Sequence, residues 1–472
     1  YRMKPSDNGY FKNYKPQKRW ERVEYNFDRS PLYDVPDDWN TQNDKLLYYE
    51  GTVWYKKSFE YNKKEEKRVF LYFGAANYES IVYLNGKKIG THTGGFTPFN
   101  FEVTDQIKDG ENFVVVKVDN SRKEKAVPTV KTDWWNYGGI TRSVKIVETP
   151  ERFIRDYFIQ LKPGSSNTIE GWVQLDGRRL RERITLRIPE LQTEVTFRTN
   201  GEGFANFSFQ TDIELWSPEN PKLYKVELIS DDEIISDQIG FRSIETQEDR
   251  ILLNGKKVFL KGICIHEEAP YRSGRAYSKE DARTLLGWAK ELGCNFVRLA
   301  HYPHNEHMVR MADRMGLMVW SEIPVYWTIQ WKNPETYQNA KKQLTENITR
   351  DKNRASVIIW SVGNETPISN QRNEFMKGLV QTARELDNSR LISAALEKYY
   401  PKATEEDPED YDPGLHPTVN DPIGQYLDVV SFNEYIGWYD SLPDKCNQVE
   451  WTVKYNKPVI ISEFGAGALQ GY

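Results

Sequence analysis

From Asn254 onward this chain alternates short apolar runs with helical segments, and every run ends in polar side chains at the same end. The clearest is DKNRASVIIWSVGNE, residues 351–365. Val357, Ile358 and Ile359 are consecutive and β-branched, as in a strand buried on both faces, yet the run breaks into Asn364-Glu365, a pair such a strand could not hide. Six further runs obey the same rule: VFLKGICIHE, NFVRLAHYP, LMVWSEIPV, RLISAALEKYY, LDVVSFNEYI and PVIISEFGAG. They end at His266 and Glu267, His301, Glu322, Glu397, Asn433 and Glu434, and Glu463. Helical segments lie between them, such as SKEDARTLLGWAKELG, with Ser278 as N-cap and Gly293 as stop. Repeated βα units predict a (β/α)8 TIM barrel, which carries its chemistry at the C-terminal ends of its strands. Only seven runs precede Tyr472. The barrel is therefore expected to lack its last strand in this chain, and the gene to continue.

The first half has a different grammar. Residues 1–148 hold short alternating runs (TVWYKKSFEY, RVFLYFG, SIVYLNGKKIG, NFVVVKVDN) with Asn85-Gly86 as a type I′ hairpin signal. Many short strands without helical period predict a jelly-roll β-sandwich. Residues 149–245 repeat the style more compactly in DYFIQLKPG, TIEGWVQLDG, ERITLRIPE, GFANFSFQ, YKVELISDD and DEIISDQIGFRSIE. Six or seven strands in that span predict an immunoglobulin-like β-sandwich. The fold class is thus multidomain β plus α/β: jelly roll over 1–148, immunoglobulin-like sandwich over 149–245, incomplete TIM barrel over 246–472. A chain of 472 residues is long enough to need more than one core.

Composition removes several classes of function. A net charge of −5 gives no electrostatic reason for nucleic acid as a partner. No apolar stretch approaches the roughly 20 residues of a membrane span. Three cysteines, Cys264, Cys294 and Cys446, make no disulfide framework. Cys264 and Cys294 sit in apolar runs and are expected to be buried thiols. The chain opens at Tyr1 with neither signal peptide nor initiator Met. That leaves a periplasmic or extracellular location if a leader was removed, and a cytoplasmic one otherwise.

Two carboxylates on the lips of buried strands are what glycoside hydrolysis requires, one as acid on the leaving oxygen and one beneath the sugar ring. Glu365 and Glu463 end the fourth and seventh runs, across the barrel mouth from each other. Asn364, beside the first, is placed to bond a sugar 2-hydroxyl. Two other patterns carry no function. HYPHNEH (301–307) spaces three histidines, but His301 belongs to a strand end and the others to the next helix start, which does not suit one zinc ion. GAGALQG (465–471) has Gln470 where a dinucleotide loop needs its third glycine. No metal and no cofactor are expected.

NFVRLAHYP (295–303) and DKNRASVIIWSVGNE (351–365) resemble the two signature segments of glycoside hydrolase family 2, the family of β-galactosidases, β-glucuronidases and β-mannosidases. The resemblance covers essentially the whole chain, in the same domain order. It implies Glu365 as general acid/base, Glu463 (in SEFGA) as nucleophile, and retention of anomeric configuration. TDWWNYGGITRSV (132–144) resembles a jelly-roll loop that reaches the sugar hydroxyls through an aspartate, here Asp133. FNEYIGWY (432–439) resembles a segment supplying active-site tyrosines, here Tyr435 and Tyr439. His266 and His301 are implied as further substrate-binding residues.

Within the family these segments are most similar to β-glucuronidase. The chain ends before the point where that group carries an Asn-x-Lys pair for the sugar carboxylate, so β-galactosidase is the alternative. The expected partner is a β-linked glycoside or oligosaccharide, with no nucleic acid and no membrane, and with a homo-oligomer left open. The rival of another class is a non-catalytic carbohydrate-binding protein built on an open barrel. The two intact glutamates speak against it.

Overall fold

The computed structural model describes residues 27–402, 404 and 412–467. All seven runs form parallel strands of one sheet, in chain order: β1 (Gly262–Ile265), β2 (Phe296–Leu299), β3 (Met318–Glu322), β4 (Val357–Asn364), β5 (Leu391–Leu396), β6 (Val430–Asn433) and β7 (Val459–Glu463). Every residue of β4 is buried, as its continuous β-branched run requires. Helices α1 (Lys279–Glu291), α2 (Glu306–Met315), α3 (Pro334–Asp351) and α4 (Asn370–Leu386) follow the first four strands. Ser278 caps α1 through a full capping box with Asp281.

Three local readings need correction. The run VFLKGICIHE is two elements: Lys256–Val258 pairs antiparallel with Arg250–Leu253, and β1 starts only at Gly262. Among the described residues no α-helix follows β5 or β6, where the 3-10 turns Pro422–Gln425 and Pro443–Gln448 stand instead. Pro413, Pro417, Pro422 and Pro443 interrupt those connections, and proline cannot donate the i→i−4 bond of a helix interior. Cys294 is buried, but Cys264 is exposed, because β1 is an edge strand of the sheet. Its thiol lies 3.2 Å from the Ser462 carbonyl on the other edge strand, β7. The GAGALQG run falls mostly outside the described residues.

The jelly roll packs a four-stranded sheet against a three-stranded one around Trp39, Phe73 and Val82. Its last strand is Val144–Pro150. Asn85 and Gly86 have φ of 48° and 85°, the positive pair that a type I′ turn demands. The immunoglobulin-like sandwich also has four- and three-stranded sheets, around Val173, Ile184 and Leu186. One of its seven strands, Thr193–Arg198, is absent from the runs read in the sequence; its half-buried, half-exposed alternation carries little apolar signal.

The two sandwiches meet opposite ends of the barrel. From the jelly roll, Arg142 donates to both oxygens of Glu267, just past β1, at 3.0 Å. From the immunoglobulin-like sandwich, Asp237 pairs with Arg354 just ahead of β4, and the Ile159 amide donates to Asn353 at 2.9 Å.

Candidate active site

The centre of the barrel mouth is Arg298, in the interior of β2 and buried. A buried guanidinium has to be paired, and Arg298 meets groups from four other strands. It donates to both oxygens of Glu322 (β3) at 3.0 Å, to Asn364 Oδ1 (β4) at 2.7 Å, to Asn433 Oδ1 (β6) at 3.4 Å and to Glu463 Oε1 (β7) at 2.7 Å. These carboxylates hold Arg298 above even its usual high pKa against the opposing effect of burial. Burial acts to raise the Glu322 pKa, but Arg298 and His301 outweigh it and bring the carboxyl down to about 2.

Around this hub the two candidate glutamates have different neighbours. Glu463 faces Arg298, accepts from the Tyr435 hydroxyl, and lies 3.4 Å from His301 Nε2. Burial, then the Glu463 carboxylate, raises the Tyr435 pKa, so the phenol stays protonated and donating. Glu365 accepts instead from neutral donors: Trp327 Nε1 at 3.1 Å and Asn364 Nδ2 at 3.4 Å. Because Asn364 Oδ1 is taken by Arg298 and Asn433, its amide nitrogen is left to face Glu365. Glu365 and Trp327 both have left-handed backbone, φ 46° and 50°. Such residues cost about 1–3 kcal/mol each unless the surroundings compensate. Here the Trp327 amide bonds the Asn364 carbonyl at 3.0 Å and the Glu365 amide bonds the Ala395 carbonyl at 2.9 Å, turning the carboxyl out of β4 into the mouth.

The jelly roll closes one side. Trp134 is buried with its ring 5.1 Å from Tyr326, 5.8 Å from His301 and 6.3 Å from His266. Asp133, exposed at the edge of the mouth, lies close enough to Tyr326 for its carboxylate to bear on the phenol. The Tyr326 pKa is raised by burial first, then by Asp133, Glu365 and Glu463, which places all three carboxylates around one phenol.

His301 sets Nδ1 3.1 Å from Glu322. His266 is pushed down to about 3 by burial, with His301, His304 and Arg275 adding to it, and is a neutral ring in the wall. His304 bonds the Ala300 carbonyl at 2.9 Å and His307 lies in the first turn of α2, so HYPHNEH is split among three places. Tyr439 packs edge-on to Tyr435 at 5.2 Å but is 76% exposed, at the outer margin.

All eight residues singled out in the sequence therefore face or border one mouth. Sequence reasoning passed over Arg298, Tyr326, Trp327 and Trp134 as site residues. Arg298 had a signal, a lone cation inside an apolar strand. The aromatic three read as ordinary core.

Residues 244–472 match the model of the glycosyl hydrolases family 2 TIM barrel domain, and residues 17–150 that of the family 2 sugar binding domain. The chain belongs to glycoside hydrolase family 2. By that membership it is a glycoside hydrolase. A relative from Formosa agariphila is 31% identical over 467 residues, covering 93% of this chain and 54% of that protein, so the chain spans about half of its length. A β-glucuronidase of Paenibacillus borealis is 28% identical over 503 residues, covering 94% of this chain and 80% of the relative. The family 2 β-galacturonidase of Eisenbergiella tayi, in a crystal structure with galacturonate, superposes with a TM-score of 0.79 at 27% identity, covering 93% of this chain and 78% of that one.

Proposed function

We propose that this chain is a retaining exo-β-glycosidase acting on non-reducing-end β-D-glucuronides. The observation that carries the reading is the contrast between the two glutamates. A carboxylate set against a guanidinium suits a nucleophile, and one met only by neutral donors suits a group that must carry and release a proton. In the first step Glu463 attacks the anomeric carbon while Glu365 passes its proton to the glycosidic oxygen, and the aglycone leaves as an alcohol. In the second, Glu365 takes a proton from water, whose oxygen displaces Glu463 and restores the β configuration. Asn364 and Asp133 bind sugar hydroxyls, His266 and His301 line the pocket wall, and Tyr435 and Tyr439 border the ring. The uronide preference is supported by the names of the Paenibacillus and Eisenbergiella relatives.

Nitrophenyl β-glucuronide, β-galactoside and β-mannoside, offered to the same preparation, test this. The glucuronide should be turned over with the highest kcat/KM. Equal or better turnover of the galactoside overturns the glucuronide assignment, and an α-configured first product overturns retention.

A further inference from the structure

In the reaction proposed above the leaving group departs on the side of Glu365, and the two segments flanking that residue run outward into one cavity. The β3–α3 connection carries Trp327, bonded to Glu365, and continues through Trp331 to the start of α3 at Pro334. The β4–α4 connection begins at Glu365 and ends at Asn370, the first residue of α4. Between the two helix starts lies an open cavity of about 470 Å³, within the range of small-molecule sites.

The walls of this cavity are aromatic and its rim is polar. Phe375 stands edge-on to Trp331 at 5.2 Å and to Tyr337 at 5.1 Å. Asn370, Gln371 and Glu374 line the rim, exposed, and their side chains make no hydrogen bond or ion pair among the described residues. Gly378, in the middle of α4, sits where a Cβ would lie 2.4 Å from the Tyr337 hydroxyl. Glycine is unfavourable inside a helix, and here it is what lets the Tyr337 ring lie against α4. A sugar ring matches this lining: its C–H faces suit aromatic rings, and its hydroxyls suit amides, which donate and accept, and a carboxylate, which accepts.

We propose that this cavity is a subsite for a sugar residue on the leaving-group side of the cleaved bond, which makes the substrate an oligosaccharide and not a small conjugate. The inference rests on the reading of Glu365 as the acid. The test is the double variant Gln371→Ala/Glu374→Ala, both sites being exposed on α4 and alanine favouring the helix. On an oligosaccharide with a terminal β-linked uronate, kcat/KM should fall by about tenfold or more, as expected for losing two sugar hydrogen bonds. On the nitrophenyl glycoside it should be unchanged. Equal losses on both substrates, or none on the oligosaccharide, overturn the subsite.

A binding measurement separates this from the enzyme reading. The oligosaccharide is titrated calorimetrically into Glu463→Gln protein and into the same protein carrying the double variant. Weaker binding by the second, about fivefold or more, is expected whether or not the nitrophenyl panel gives turnover. Equal affinity, or no affinity in either, overturns the subsite even if the hydrolase reading stands.

Discussion

The two ends of β4 both carry polar and charged side chains and put them to opposite uses. Ahead of the strand, Lys352, Asn353 and Arg354 are buried against the immunoglobulin-like sandwich. Arg354 pairs there with Asp237 and lies 3.5 Å from Asp313, and Arg242 reaches the Val357 carbonyl at 2.6 Å. At that end Arg354 and Lys352 are ion-paired and Arg242 is held by backbone carbonyls, all of them buried. Past the strand, Asn364 and Glu365 open into the mouth, where Arg298 is shared among several acceptors and Glu365 has only neutral donors. One segment of chain thus carries both a weld and a reactive group. The difference is what covers it. A sandwich packed flat against the lower end excludes water, while the jelly roll at the upper end contributes a loop and leaves a mouth.

If that contrast is right, variants at the upper end should cost activity and those at the lower end should cost stability. The largest effect belongs to Glu463→Gly, which should lower kcat by ~10⁴–10⁶-fold, on the scale of losing a covalent nucleophile, with little change in Tm. Azide should restore turnover and yield an α-glycosyl azide. A β-azide product would transfer the nucleophile role to another residue.

Arg354→Ala comes next and works in the other direction. It leaves Asp313 buried without its cation, while Asp237 keeps Arg310, and an uncompensated buried charge costs about 3–5 kcal/mol. The denaturation midpoint should drop while kcat/KM of the folded fraction stays at the parent value. A loss of activity without a loss of stability would break the division between the two ends.

Asp133→Ala should lower kcat/KM by about ten- to a hundredfold, the loss of one charge-assisted bond worth roughly 1.5–3 kcal/mol, and leave Tm unchanged. Unchanged kinetics would show that the jelly roll only covers the mouth.

The last effect is on pH dependence and sharpens the same contrast. His266 titrates near 3 in the folded chain, against about 6.5 when unfolded. As pH falls through that window the unfolded chain takes up a proton that the folded site refuses. The stability associated with a neutral His266 is present above about pH 6.5 and is progressively lost toward pH 3. A His266→Gln variant should therefore show a flatter decline of Tm between those limits, and an identical slope would remove His266 from the effect.

How the site could be read from sequence depended on how far apart its parts lie. Glu365 and Glu463 were readable because each ends its own apolar run, a contrast contained within a few residues. Arg298 was not. Its partners Glu322, Asn364, Asn433 and Glu463 lie 24, 66, 135 and 165 residues away, so nothing near it in the chain says what it bonds. Trp134 looks like any core aromatic until the jelly roll is docked on the barrel and its ring meets Tyr326 and His301. Trp327 has its role only because its backbone is left-handed, a state that no local residue preference signals.

The sequence by itself determined the seven parallel strands of the barrel, their order and the end at which chemistry gathers. Those follow from side-chain period, β-branching and turn residues, which act over a few positions. Only the tertiary structure decided which carboxylate meets a guanidinium and which meets an indole. The curvature of the seven-stranded sheet sets that, bringing five strands to one buried arginine, and a charge buried there has to find its partners wherever in the chain they come from.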